Sequence, residues 1–569
     1  MDKPKVELVE YSPKGVDEIS KMNYILNDFP TVYIVFDKAD QDKYFVYVGE
    51  ANDVKRRTRE HFNQDRDDWD KFKNSISSKM YVIGHEHFNK SMTLDIENKF
   101  MNMFMGVPSI KDNGGITNRR TNPQNKYYPK DEMNDIFDDI WKQLHKKNPD
   151  LFPETDIIRS SALFKSSPFH ELNTQQLEAK NIIEMKIEED LLKNNKSHLI
   201  LVEGAAGTGK TVLLSSVFFG LINKYKNDFG ESLSDDINVH LVVNHNEQKI
   251  VYENIANKLG IDNVTKIISK PNSFIKTHEY ILEHPEKKVD VIIVDEGHLL
   301  ATRNGQAFPK KIGKTHIDVL QKMAKVVLLV FDPKQILTAE QYVDSTFIDE
   351  LITEAHDRND LIRLDNQMRM DASETTVRWL KELTDNHIIG KFKQDGKYDL
   401  KILDTPDELY KEIKSKAKTN KEAGLSRMLA TYDWEWKQDG DEHLVSIGDF
   451  SMPWNYYFDS TKKSSIPWAE NEKSLEEIGS TFTIQGFDLN YAGVIIGPTF
   501  IYRDGKIQVD MTKSKSKKAV QRSNGESAVI QNLYNELNVL LTRGVHGLYI
   551  YAVDSELQNA LKESINGNN

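Results

Sequence analysis

The sequence predicts an α/β protein: a small α/β domain at the N-terminus, then two larger lobes built on parallel sheets. Three observations predict it. Gly204-Ala-Ala-Gly-Thr-Gly-Lys-Thr211 fits the phosphate-loop pattern without a mismatch and stands between a strand, His198–Val202, and a helix, Val212–Phe219. Further apolar strands follow at His240–Asn244, Val289–Val294 and Lys325–Phe331. Ahead of them, Thr31–Phe36 and Tyr44–Gly49 read as a hairpin closed by Asp37–Lys43, with helices behind.

Composition bounds the rest. At 569 residues the chain has room for about three or four domains, each able to bury its own core. Hydrophobic content of 38% with 29% charged residues describes a globular chain. There are no cysteines, which excludes disulfides and thiolate-held zinc or iron–sulfur sites and fits a reducing, cytoplasmic compartment. No apolar run reaches membrane-spanning length, and the acidic N-terminus does not resemble a signal peptide. A net charge of −13 argues against a wholly basic nucleic-acid coat but leaves room for local patches.

In residues 1–125 a basic helix carries Lys55, Arg56, Arg57, Arg59 and His61. Arg57 and His61 are four apart and share a face. A second helix, from about Ser91 to Met105, places Glu97 among Leu94, Phe100 and Met101, on its apolar side. A buried carboxylate needs a charge partner or a metal. These pieces resemble the GIY-YIG nuclease family. Tyr33 stands in its first motif and Tyr47-Val-Gly49 is the second; Arg57, His61, Glu97 and, in Thr117-Asn-Arg-Arg120, Asn118 fall on the later positions. Thr31 replaces an expected glycine. The resemblance implies cleavage of a phosphodiester with Mg²⁺ on Glu97. Tyr33 is the base, its pKa lowered by metal and guanidinium, and Arg57 stabilises the growing charge.

Residues 126–168 form a connector. Ile136, Phe137, Ile140, Trp141 and Leu144 recur at helical spacing, and the segment with Pro149, Pro153 and Pro168 reads as loop.

The first lobe is expected over 169–338 and the second over 339–560. Within the phosphate loop Gly204, Gly207, Thr208 and Gly209 wrap phosphates, Lys210 reaches the β- and γ-phosphates and Thr211 holds Mg²⁺. Asp295 ends its strand in position to share that ion, and Glu296 to polarise a water. The order of motifs resembles superfamily 1 helicases, whose lobes are RecA-like, and more closely the helicase-like ATPase domain of the Schlafen group 3 type. Gln176 then reads adenine, Gln335 senses the γ-phosphate, and Arg369, in Leu364-Asp-Asn-Gln-Met-Arg369, supplies one arginine finger. Gln485 and Gly486 close the motif that begins at Ile478, and Arg543, in Asn538–Gly544, is the second finger. Gly297 stands in Asp295-Glu-Gly-His298 where alanine is more usual.

An aromatic insert, about 425–470, holds four of the seven tryptophans; they either stack bases or pack the insert's own core. Lys513-Ser-Lys-Ser-Lys-Lys518, with Arg522, reads as a mobile basic loop able to meet phosphates. Residues 561–569 form a polar tail. The resemblances imply an ATP- and Mg²⁺-dependent nuclease–helicase acting on nucleic acid, DNA before RNA, without a membrane, in prokaryotic antiphage defence. It works alone, as a homo-oligomer or with a defence partner. In an alternative, ATP gates the nuclease without unwinding. A third reading is a binding protein with an inactive nuclease, resting on Thr31 and Asn118.

Overall fold

The computed structural model describes the chain except for residues 1–2, 20, 41, 64–66, 119–123, 125, 129, 193–196, 206, 225–236, 301–314, 339–344, 366–369, 395, 419–424, 438–440, 456–467, 485–486, 522–524 and 567–569. It falls into two compact units. One comprises Met1–Lys180, Val212–Val239 and Val251–Ile267; the other comprises Asn181–Thr211, His240–Ile250 and Ile268–Asn569.

The first unit is built on an antiparallel sheet of strands β1 (Lys5–Glu10), β2 (Thr31–Asp40), β3 (Lys43–Ala51) and β4 (Lys79–Gly84), in the order β1-β4-β2-β3. The β2–β3 hairpin is longer than its apolar core suggests. Pairing continues from Phe36–Val46 out to Asp40–Lys43, so Asp37–Asp40 and Lys43, expected as loop, are strand. Helix α1 (Val54–Asn63) follows β3, α2 (Asp67–Lys73) precedes β4, and α3 (Lys90–Gly106) lies against β3. Asn89 caps α3, accepting from the Met92 amide at 3.0 Å. The connector helix α4 (Met133–Lys147) buries Ile136, Phe137, Ile140, Trp141 and Leu144, and Trp141 and Phe100 pack with ring centroids 6.0 Å apart. The segment after it is not plain loop: short helices occupy Thr155–Ser160 and Ala162–Lys165, the second capped by Ser161. Helix α5 (Thr174–Leu192) begins at a reciprocal cap, Asn173 with Gln176. Helices α6 (Lys210–Lys224) and α7 (Asn246–Lys258) follow in sequence.

The second unit holds two sheets. The first is parallel, with strands β5 (His198–Gly204), β6 (Val239–Val243), β7 (Ile268–Ser269), β8 (Val289–Asp295), β9 (Ala324–Phe331) and β10 (Leu361–Leu364) in the order β10-β5-β9-β8-β6-β7. Its central strands are apolar along their length and buried, as parallel strands covered on both faces must be. The second sheet, β11 (Asp399–Ile402), β12 (Ser426–Ala430), β15 (Ile478–Gly479), β16 (Leu489–Ile496) and β19 (Gly544–Ala552), is also parallel, in the order β11-β19-β16-β12-β15. Helix α8 (Pro406–Lys418) packs on β12, β16 and β19, and α9 (Glu526–Leu541) on β16.

The aromatic insert forms a ribbon, β13 (Leu444–Ile447) with β14 (Phe450–Pro453). Trp454 is fully buried in the second sheet's core, with Trp434 and Trp436 packed against it. These three tryptophans therefore pack on the core of the second sheet. A short hairpin, β17 (Phe500–Arg503) with β18 (Lys506–Val509), leads to the basic segment. That segment is turn structure rather than free loop. Ser514 and Ser516 are buried, the Lys515 amide donates to the Tyr432 carbonyl at 2.9 Å, and the lysines alternate outward. A final helix, α10, spans Ser555–Asn566. Among the described residues no helix is long and apolar enough to cross a membrane.

One buried carboxyl makes a stability prediction. Burial, and then the nearby Asp433, push Glu536 on α9 up to about 8. The folded state therefore keeps a proton that the unfolded chain releases near its ordinary carboxylate range. This contribution is fully present below that range and is lost as pH rises through 8. Urea unfolding between about pH 5 and pH 9 should show the native chain weakening relative to Glu536→Gln as pH rises; parallel curves would contradict it.

Two candidate active sites

The first site grows from the β2–β3 hairpin. Register sets Tyr33 opposite Gly49. A side-chain carbon at Gly49 would lie 2.5 Å from the Tyr33 hydroxyl and 2.4 Å from its ring, so only glycine lets the tyrosine lie across β3. The Tyr33 hydroxyl meets His61 Nε2 at 3.1 Å. His61, fully buried on α1, stacks on Trp69 of α2 at 3.9 Å, and Tyr47 packs on the same indole at 4.3 Å. Trp69 was missed in the sequence because α2 is short and follows a polar stretch; its aromatic identity was the available signal. Arg57, half-exposed, pairs with Glu60 at 3.6 Å and faces the Tyr33 hydroxyl.

Glu97 reaches this cluster from α3. Asn118 holds it in place: its amide accepts from the Val48 N–H at 2.9 Å, donates to the Val48 carbonyl at 2.7 Å, and reaches Glu97 Oε1 at 3.5 Å. Asn118 thus extends β3 and orients the carboxylate at once. Thr31 is an ordinary paired strand residue, its hydroxyl on the Ala51 carbonyl, so the missing glycine leaves the strand intact.

Burial, then the Tyr47 hydroxyl, push the Tyr33 phenol well above its usual value, while Arg57 pulls it down. The guanidinium alone does not deliver the lowered pKa expected of a base, because burial outweighs it. The phenol and imidazole are instead placed to pass a proton between them. A single buried carboxylate fits a hard cation such as Mg²⁺, which takes one or two protein carboxylates and keeps several waters. Among the described residues no group of three or more His, Asp or Glu forms a closed metal cage.

The second site lies at the carboxyl ends of β5, β9 and β8, which are neighbours. Gly207 and Gly209 have φ of 84° and 78°, a region that favours glycine. They turn the loop after Gly204 into α6, where Lys210 and Thr211 occupy the first turn; Thr208 donates back to the Ala205 carbonyl at 3.0 Å. Lys210 is buried. Its ammonium donates to the Gly204 and Ala205 carbonyls at 2.6 and 2.8 Å and lies 3.5 Å from Asp332, the residue after β9. Burial would raise Asp332, but Lys210 and then His298 hold it below the usual range. Gln335 donates to Asp332 at 2.7 Å and accepts from Arg543 at 3.2 Å. Arg543 is fully buried and further tied to the Val539 and Phe487 carbonyls.

At the end of β8, Asp295 accepts from the Glu296 amide at 2.9 Å. Glu296 adopts φ 52°, ψ 52°, a left-handed conformation costly for a non-glycine residue, and its carboxylate lies 3.2 Å from buried His298. Gly297 is not an incidental substitution. A side-chain carbon there would lie 2.4 Å from Leu329 and 2.7 Å from the Val330 carbonyl.

The structure therefore gathers Tyr33, Tyr47, Arg57, His61, Glu97 and Asn118 in one place, and Lys210, Asp295, Glu296, Gln335 and Arg543 in another. Asp332 and His298, given no role in the sequence reading, belong with the second group. Gln176 is engaged in capping α5: its side chain accepts from the Asn173 amide at 3.0 Å and its own amide donates to Asn173 at 2.8 Å. Arg369, Gln485 and Gly486 lie outside the described residues.

Comparisons with known proteins agree with the two-part organisation. Residues 197–554 match the model of the Schlafen group 3, DNA/RNA helicase domain, and residues 29–104 match the GIY-YIG catalytic domain. An uncharacterized protein of Saccharomyces cerevisiae is 33% identical over 395 residues, covering 64% of this chain and 83% of its own. Among solved structures, that of the DUF1998 helicase MrfA bound to DNA is similar over 68% of this chain and 49% of its own. The identity there is 12% and the TM-score 0.30.

The fit of Tyr33 over Gly49 yields a prediction. Gly49→Ala must displace the Tyr33 ring, an overpacking cost of about 1–3 kcal/mol, whereas Tyr33→Phe keeps the packing and loses only the hydroxyl's contacts with His61 and Arg57. Chemical unfolding should rank Gly49→Ala as the less stable of the two; the reverse order would contradict the geometry.

Proposed function

The chain belongs to the Schlafen group 3 helicase-domain family and carries a GIY-YIG catalytic domain ahead of it, and on that basis we propose that it is an ATP-dependent nuclease–helicase. The observation that carries this reading is that one chain assembles both a tyrosine–histidine–glutamate cluster and a buried phosphate-loop lysine with its arginine relay.

At the first site Tyr33 is placed to take the proton of the attacking water, passing its own to His61, as the P–O bond to the leaving oxygen breaks. Arg57 faces the phosphate and stabilises the negative charge that grows on it. Asn118 keeps Glu97 aimed. Glu97 is the residue that would hold a divalent ion, which would supply further positive charge at the scissile phosphate.

At the second site Lys210 exchanges its carbonyl contacts for the β- and γ-phosphates of ATP. Glu296 orients the hydrolytic water, and Arg543 and Arg369 neutralise charge on the γ-phosphate. Thr211 and Asp295 are the residues that would hold the accompanying Mg²⁺. Movement of Arg543 between Gln335 and the phosphate ties hydrolysis to the second lobe, which advances the protein along a strand.

In this reading the substrate is DNA, as the nuclease type favours, and the enzyme works in the cytoplasm. The fusion of motor and cutter suits restriction of invading DNA, a prokaryotic antiphage role, alone, as an oligomer or with a defence partner. The buried Gln335–Arg543 link also suits a second reading, in which ATP gates the nuclease without unwinding; a strand-displacement assay separates the two.

The test is cleavage of plasmid and single-stranded DNA with Mg²⁺, with and without ATP. Glu97→Ala should lose at least about a hundredfold in cutting while retaining ATP hydrolysis. Lys210→Ala should lose ATP hydrolysis and the ATP-stimulated part of cutting. Cutting by Glu97→Ala at the wild-type rate would overturn the assignment of the nuclease site.

A further inference from the structure

Lys258, the last residue of α7, is 4% exposed. It lies far outside residues 29–104, the span matched by the nuclease family. Its ammonium donates to the carbonyls of Met105 at 2.9 Å and Val107 at 3.0 Å. The first is one of the last carbonyls of α3, the helix that carries Glu97, and the second belongs to its C-cap residue. The last carbonyls of a helix have no intrahelical donor, and a cation there also complements the helix dipole. Lys258 therefore caps the Glu97 helix from a distant part of the sequence.

Backbone pairing adds a second grip. The Gly114 amide donates to the Asn257 carbonyl at 2.8 Å, and the Ile116 amide to the Lys258 carbonyl at 3.1 Å. The strand-like segment they hold also lies along β3: Ile110 bridges Tyr44, Ile116 bridges Val46, and the Val46 amide donates to the Gly115 carbonyl at 2.8 Å. It ends in Asn118, which orients Glu97. On its other flank Lys71 of α2, two residues from Trp69, reaches the Gly114 carbonyl at 3.5 Å. The two chains run so close that a side-chain carbon at Gly260 would lie 3.1 Å from the Gly114 Cα. Residues 257–258 thus touch both supports of the carboxylate: its helix and the strand of Asn118.

We infer that Lys258 is a positioning residue for the Tyr33–Glu97 site, acting through the end of α3 and the Asn118 segment. This rests on the nuclease reading above. It means that the cutting site is not finished by the N-terminal domain alone: a residue beyond the phosphate loop in sequence completes it.

The experiment uses the full chain and a labelled plasmid, titrated with Mg²⁺. Lys258→Met should cut about tenfold more slowly, as loss of an outer-shell partner typically does, and should need several times more Mg²⁺ for half-maximal cutting. Lys258→Arg, which keeps a cationic donor, should recover most of both. Lys258→Met combined with Asn118→Ala should be no slower than Asn118→Ala alone, because the two act on the same carboxylate. Should Lys258→Met fail to fold, Gly114→Ala, strained at φ 81° where its segment pairs with Asn257, loosens the second grip and should show the same Mg²⁺ shift. Wild-type rate and Mg²⁺ dependence in Lys258→Met, or losses that simply multiply in the double variant, would overturn the inference while leaving the nuclease assignment intact. A wild-type chain that cuts nothing would remove both.

Discussion

The ammonium of Lys210 is buried, and a buried charge is tolerated only where it is paired and hydrogen-bonded. Asp332 and two loop carbonyls supply that pairing. Much of the surrounding architecture serves the same contact. Gly207 and Gly209 turn the loop inward, β9 stands beside β5 so that Asp332 arrives opposite it, and Gly297 lets the end of β8 close onto β9. Asp332 in turn holds Gln335, and Gln335 holds Arg543. An ion pair and two hydrogen bonds thus link the phosphate loop, through four side chains, to Arg543 just beyond α9. Asn535 donates to the Ile336 carbonyl at 2.8 Å, which fastens α9 to the same short segment.

The other site rests on shape more than charge. Tyr33 can lie across β3 only because residue 49 has no side chain, and His61 meets it only because Trp69 backs the imidazole. Its polar groups are then finished by segments distant in sequence, Asn118 first and Lys258 beyond it. A site assembled in this way is sensitive to small displacements, since a misplacement of about 1 Å in a catalytic group can cost two orders of magnitude in rate.

The fold was legible where chemistry restricts the residues. The phosphate loop admits few alternatives, and the strands beside it are continuous apolar runs, so the parallel sheet followed. The helix of Glu97 was legible from a carboxylate in the middle of an apolar face. Less was legible where tertiary pairing overrides local pattern. Asp37–Asp40 and Lys43 look like a loop, yet the hairpin carries them as strand. Strands β1 and β4 went unread, although Met80–Ile83 is an apolar run bounded by a lysine and a glycine. Lys513–Lys518 is charged and looks mobile, yet its serines anchor it. The raised pKa of Tyr33 could not be read either, because burial is a property of the assembled sheet. Contacts such as Lys258 with α3, made across 151 and 153 positions, leave no local signature at all.

Lys210, Asp332, Gln335 and Arg543 are bonded in series and are placed to act as one unit. The direct measurement is steady-state ATP hydrolysis by Gln335→Ala, Arg543→Gln and the double variant, all in the full chain. If the four side chains form a single relay, each single variant slows hydrolysis and the double is no slower than the slower single, since either break interrupts the same path. Losses that multiply in the double variant would mean that Gln335 and Arg543 act independently, and would contradict the account.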